Sequence, residues 1–225
     1  MTRILAIDTT TEACSVALSL DGHEVAECFE IATRTHTQRL LPMVDEVLKA
    51  ADVALASLDG IACTRGPGSF TGIRVGVSAA QGLAFAAGLP VLPLSTLAVL
   101  AWQGAELQPE KERWQVVMDA RMGEVYCAAF SAPDKGFRLL EGEALLPPAD
   151  LTVWTDLASG RIGSGWALPE LAVTSDVITE EAGLPTAAAA ARLADFLLTR
   201  DGTSLWQPAE ALQPLYLRDQ VTHGH

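Results

Sequence analysis

Apolar residues open the chain in short runs broken by polar turns, a pattern of strands more than of helices. Ile4-Leu-Ala-Ile7 is followed by the polar stretch Asp8-Thr-Thr-Thr-Glu12 and then by Cys14-Ser-Val-Ala-Leu-Ser-Leu20, which predicts two strands around a turn. Asp21-Gly22 is a favoured tight-turn pair, and partial alternation from Glu24 to Ile31 predicts a third, antiparallel strand. The spacing then changes. Leu40, Leu41, Val44, Val47, Leu48 and Ala51 recur at helical intervals, with Thr35 or Thr37 as N-cap. A strand at Gly60-Ile-Ala-Cys-Thr64, a glycine-rich loop, a helix over about residues 71–87, a strand at Pro90-Val-Leu-Pro-Leu94 and a further helix complete the first half. Residues 75–105 carry no charge, but Gly88, Pro90 and Pro93 cut them into pieces too short to cross roughly 30 Å of hydrocarbon, so no membrane span is expected.

The order β-β-β-α-β-α-β-α is that of a ribonuclease-H-like lobe. An internal echo suggests a second one. Ile4-Leu-Ala-Ile-Asp8 returns about 111 residues later as Gln115-Val-Val-Met-Asp119, and both copies end at an acid. A second apolar strand follows at Glu124-Val-Tyr-Cys-Ala-Ala-Phe130, and a third at residues 137–146 after a turn containing Gly136. Pro147, Pro148, Gly160, Gly163, Gly165 and Pro169 then break the pattern until a helix over residues 186–199. The expected organisation is an N-terminal lobe over 1–105 and a degenerate C-terminal lobe over 106–225, with the last segment packing back on the first.

At 225 residues and 49 % apolar content the chain can fill a sizeable core. Its formal charge of -13, with no Lys/Arg run, repels phosphodiester backbones, so any role with nucleic acid is expected to pass through a more basic partner. Cys14, Cys28, Cys63 and Cys127 form no C-x-x-C pair and are read as reduced thiols of a cytosolic protein. The first residues hold only a four-residue apolar run before an acid, so no export signal is expected.

Three places could carry chemistry. The turn at Asp8, Thr9, Thr10 and Glu12 could present hydroxyls and amides to phosphates, or be a hydrogen-bonded hairpin turn and nothing more. Arg65-Gly-Pro-Gly-Ser-Phe-Thr-Gly72 lies between a strand and a helix, where amides can meet an anion; it lacks the ending of a P-loop, and a tight connection capped by Ser69 or Thr71 reads equally well. Asp119 and Arg121 repeat the strand-end position of Asp8 and could pair with each other or meet a ligand or partner. Gly72, Gly76 and Ala80 leave one helix face nearly bare, so another helix can approach closely, in the same chain or in a second one. The histidines show no metal-binding spacing; His36, near a helix start, reads as a capping or surface residue, and His223 and His225 stand near the end of the chain.

Taken together, Ile4 to Leu18, His36-Thr-Gln-Arg-Leu-Leu-Pro-Met43, Arg65 to Gly76, Asp119-Ala-Arg-Met-Gly-Glu-Val-Tyr126 and Pro214-Leu-Tyr-Leu-Arg218 resemble the bacterial TsaB family, also called YeaZ, over essentially the whole chain. The resemblance implies an α/β fold of two ribonuclease-H-like lobes of the actin/sugar-kinase (ASKHA) type, the second reduced. It implies a cytoplasmic subunit required for threonylcarbamoyladenosine at position 37 of ANN-decoding tRNAs, which binds the catalytic paralogue TsaD and helps recruit the ATPase TsaE, while TsaC supplies threonylcarbamoyl-adenylate. TsaD resembles this chain around residues 71–100 but carries a metal-binding H-x-x-x-H where this sequence has Thr96 and Leu100. Neither side chain replaces an imidazole on a metal, so the expectation is a non-catalytic subunit that holds no metal. No cofactor is expected on the chain alone; ATP or ADP would enter only in the assembled complex, tRNA would be met indirectly, and self-dimerisation of the isolated chain stays open. The resemblance also tips the bare face toward a four-helix contact with TsaD, with Leu40, Val44 and Leu48 beside Gly72, Gly76 and Ala80. It leaves Asp8, Thr9, Thr10, Arg65, Asp119 and Arg121 as nucleotide or partner contacts. Two other classes compete with it. An independent small-molecule kinase would use Asp8 and the Thr9/Thr10 turn for ATP, although the second half looks short for an adenine pocket; a metallopeptidase would need a ligand set that the sequence lacks.

Overall fold

A computed structural model describes residues 2–171 and 177–218; His223 and His225 lie outside them. The described residues form two compact units, one of 2–99 with 185–214, the other of 100–171 and 177–184 with 215–218. The boundary thus falls a few residues before the expected one, and 185–214 belong with the first unit.

In the first unit the expected hairpin pattern becomes β1 (Arg3–Asp8), β2 (Ala13–Leu20) and β3 (His23–Ile31), antiparallel in sequence, followed by β4 (Gly60–Thr64) and β5 (Val91–Leu94), both parallel to β1. The sheet order is β3-β2-β1-β4-β5. Parallel neighbours require crossovers, and α1 (His36–Ala50) and α2 (Phe70–Ala87) supply them. Leu40, Met43, Val44 and Val47 turn one side of α1 into a core with Leu5, Ile7, Ile73 and Val77. Thr37 lies inside α1, and Thr35 stands at the N-cap without a side-chain bond; its carbonyl accepts the amides of Gln38 and Arg39 instead. Ser69 does cap α2, accepting the amide of Gly72, and Gly88 in a left-handed conformation ends it. A last helix, α4 (Ala187–Asp201), presents a buried alanine face to β1 and β2, close enough for the Ala187 amide to donate to Ser15 Oγ at 2.9 Å.

In the second unit β6 (Arg113–Arg121), β7 (Glu124–Ser131) and β8 (Leu139–Leu146) are antiparallel, as the echo predicts. Beside them lie β9 (Ser159–Ile162) and β10 (Val177–Ile178), which the breaker-rich sequence hid. Read from the β8 edge, the order β8-β7-β6-β9-β10 repeats the first sheet's third-second-first-fourth-fifth arrangement. Gly160 is required in β9 because a Cβ there would come within 2.6 Å of the Trp114 ring. The helix α3 (Thr96–Leu107) follows β5. No helix among the described residues is long and apolar enough to cross a membrane.

Candidate functional site

Asp8 ends β1, and Thr9 and Thr10 open the turn; all three are fully buried. Asp8 Oδ1 accepts the amide (2.9 Å) and hydroxyl (3.0 Å) of Thr10, whereas Oδ2 is buried with no partner among the described residues. Burial pushes the Asp8 carboxyl up to about 6, against the opposing pull of the nearby Thr64 hydroxyl, which itself donates to the Ile7 carbonyl, of the Thr10 hydrogen bonds and of His36. The Thr9 hydroxyl donates to the Gly72 carbonyl at 2.7 Å, and the Thr10 carbonyl accepts the Ser69 amide at 2.7 Å.

The glycine-rich loop therefore closes on the turn. A Cβ at Gly68 would sit 2.2 Å from the Thr10 carbonyl oxygen, and one at Gly72 would sit 2.0 Å from that of Thr9. The amides of Gly72 and Ile73 are taken by Ser69. In the chain alone Asp8, Thr9 and Thr10 are thus buried and engaged in the internal network of the alternative reading. Arg65, half-buried, belongs to the loop through its amide, which donates to Leu94. His36 is neither cap nor free surface group: its Nε2 donates to the carbonyls of Thr11 (3.0 Å) and Ala13 (3.2 Å), tying α1 to the same turn.

The small-residue face is likewise internal, which corrects its assignment as a partner surface. Gly72, Gly76 and Ala80 are buried, and a Cβ at Gly76 would lie 2.5 Å from Thr9 Oγ1 and 3.8 Å from Ile7 Cγ2. Leu40 and Val44 are core residues, and Leu48 packs partly buried against the same core. The opposite sides of the two helices are the exposed ones. Leu41 is 53 % exposed, Phe70 49 % and Phe85 83 %. Between α1 and α2 an apolar groove of about 410 Å³ is lined by Leu41, Phe70, Arg74, Val75 and Ala79, with the Arg74 guanidinium 3.4 Å over the Phe70 ring. Gly82 lies on this outer side with nothing within 4 Å of its Cβ position, so no contact in the chain calls for a glycine there. The signal was in the sequence as Leu41 in α1 and Phe70, Ser78 and Phe85 in α2, but the last three lay hidden in an almost uncharged helix.

Asp119 and Arg121 do come together. Asp119 accepts the Arg121 amide (2.7 Å) and its Nη1 (2.9 Å), and its own amide is held by Ser164 Oγ. The Arg121 side chain is 80 % exposed at the β6–β7 connection. Thr96 and Leu100 are both buried, the Thr96 hydroxyl without a partner among the described residues. Among those residues no three His, Cys, Asp or Glu side chains stand together as metal ligands.

A family model described as TsaD, tRNA N6-adenosine threonylcarbamoyltransferase, matches residues 29–179. The tRNA threonylcarbamoyladenosine biosynthesis protein TsaB of Escherichia coli K12 is 42 % identical, covering 97 % of this chain and 96 % of that protein. The Haemophilus influenzae protein of the same description is 37 % identical over 97 % of this chain and 94 % of its own. Among solved structures, YeaZ from Pseudomonas aeruginosa superposes with a TM-score of 0.84 at 42 % identity, covering 96 % of this chain and all of that one.

Proposed function

We propose a function on one established premise: the chain belongs to the TsaB family and has a role in tRNA threonylcarbamoyladenosine biosynthesis. The proposed role is that of a non-catalytic cytoplasmic subunit, which binds a TsaD-like catalytic paralogue and helps recruit a TsaE-like ATPase for modification at position 37 of ANN-decoding tRNAs. Its two sheets would be ribonuclease-H-like lobes of the actin/sugar-kinase type, the second reduced. Nucleotide would bind only in the assembled complex.

The observation that carries this reading is the contrast between the two sides of α1 and α2. Inside, the strand-end turn that would receive a phosphate is filled by its own loop, with Asp8, Thr9 and Thr10 buried. Outside, Leu41, Phe70 and Phe85 are exposed around an apolar groove, and Gly82 and Ser78 leave room for another helix. The four-helix contact with TsaD is thus better sought on this outer side. The charge of -13 supports indirect contact with tRNA.

Reconstitution tests the proposal: tRNA, threonylcarbamoyl-adenylate, and TsaD-type and TsaE-type subunits from the same host, with and without this chain. Modification should require the chain and should fail with the chain as the only protein. Product formed by the chain alone overturns the non-catalytic role.

A further inference from the structure

Arg218 and Ala120 are 98 residues apart in sequence, yet within the second unit the Arg218 side chain grips the β6–β7 connection. Its Nη2 is 2.6 Å from Glu124 Oε2 and donates to the carbonyls of Ala120 (3.2 Å) and Arg121 (3.4 Å), while Nη1 lies 2.7 Å from Met122 Sδ. The connection so held is unusual. Arg121, Met122 and Gly123 have φ of 62°, 59° and 76°, and two of these residues carry a Cβ that disfavours the left-handed region. Asp119 fixes Arg121 from one side and Arg218 fixes its carbonyl from the other.

What this arrangement displays is an 80 % exposed arginine beside a 64 % exposed methionine. Each makes one contact within the unit, Arg121 with Asp119 and Met122 with Arg218, and is otherwise left in solvent. An unfavourable backbone held in place by several bonds, with long side chains left in solvent, belongs to a surface that meets something. Arg121 uses Nη1 on Asp119 and leaves Nε and Nη2 without a partner among the described residues, so part of its fork can still take a carboxylate. Met122 adds an adaptable apolar contact. A protein fits this pair better than a nucleic acid, because the chain as a whole repels phosphodiesters and a thioether contributes nothing to holding them.

We infer that Arg218 is a positioning residue that presents Arg121 and Met122 as a docking point for a carboxylate-bearing, partly apolar patch on a protein partner. The inference rests on the partner-subunit reading above. Its test is a double-mutant cycle on the full chain, with affinity for the purified TsaD-type subunit, alone and with the TsaE-type subunit, measured by calorimetry. Arg121→Ala and Arg218→Ala should each weaken one of these complexes about tenfold, and the double variant should be no weaker than the worse single one, because Arg218 acts through the tip. Arg218→Lys, which keeps the charge beside Glu124 but not the fork, should fall between. The melting temperature should barely move in Arg121→Ala, and should fall by no more than a few degrees in Arg218→Ala, which loses a partly exposed ion pair and two carbonyl bonds. Additive losses, a fall in melting temperature that tracks the affinity, or unchanged affinity in both single variants would overturn the positioning role. A loss confined to binding of tRNA alone would overturn the protein partner, and failure of the unaltered chain to bind either subunit would sink the partner-subunit reading itself.

Discussion

Two glycines on opposite sides of α2 distinguish the internal face from the free one. At Gly76 a Cβ would fall 2.5 Å from Thr9 Oγ1, whose hydroxyl is committed to the Gly72 carbonyl at 2.7 Å. Gly76→Ala must therefore push the helix off β1 or break that bond. Overpacking costs about 1–3 kcal/mol and a lost buried hydrogen bond about 1 kcal/mol more, against a helix-propensity gain of about 1 kcal/mol. The net loss is roughly 1–3 kcal/mol, a fall of about 2–12 °C in melting temperature for a chain of this size. At Gly82 the Cβ position is open, so Gly82→Leu keeps the propensity gain and should raise the melting temperature by a few degrees, about 1 kcal/mol. The same leucine would stand between α2 and a partner helix, where overpacking of about 1–3 kcal/mol weakens a complex roughly 5- to 150-fold. Calorimetric melting of each variant, and titration of each with the TsaD-type subunit, separates the two sides. A stable Gly76→Ala protein, or a Gly82→Leu protein that binds as tightly as the unaltered chain, would refute the reasoning.

Asp8→Asn should stabilise the chain at neutral pH. The carboxyl moves from an ordinary value near 3.8 to about 6 on folding, so its favourable contribution is complete below pH 3.8 and lost as pH rises through 6. Above that the ionised, buried group costs up to roughly 3 kcal/mol, and urea unfolding from pH 4.5 to 8.5 should show the gap between variant and parent widening with pH; a constant gap refutes it. Ser69→Ala removes the cap on the Gly72 amide and should cost about 0.5–2 kcal/mol in the same unfolding assay, with Ser69→Asp retaining most of the stability.

Hydrophobic period alone located most elements, because each periodic run had a single apolar face to bury. The alternation and tight turn of residues 4–31, the helical spacing from Leu40 to Ala51 and the echo ending at Asp119 all became the elements they predicted. The strand β9 escaped because it is short and carries Gly160 and Arg161 where apolar residues would mark a strand, and β10 because two residues are too few to show a period. Spacing also placed Gly72, Gly76 and Ala80 on one side of a helix, but in α2, whose only charge is Arg74, both sides are apolar enough to be buried, and periodicity does not say which one is. Only the packing of α2 against Thr9 decided that the bare side lies within the unit and that Phe70, Gly82 and Phe85 lie outside it. The strand-end acid at Asp8 was legible as a residue type in a turn, whereas its burial depended on a loop sixty residues away closing over it. Arg218 stood in the sequence only as the end of the family-like run Pro214-Leu-Tyr-Leu-Arg218, with no sign of what it meets: a side chain that acts across 98 residues is assigned its partner by the tertiary fold, because contact in space is not encoded in the period of its own segment.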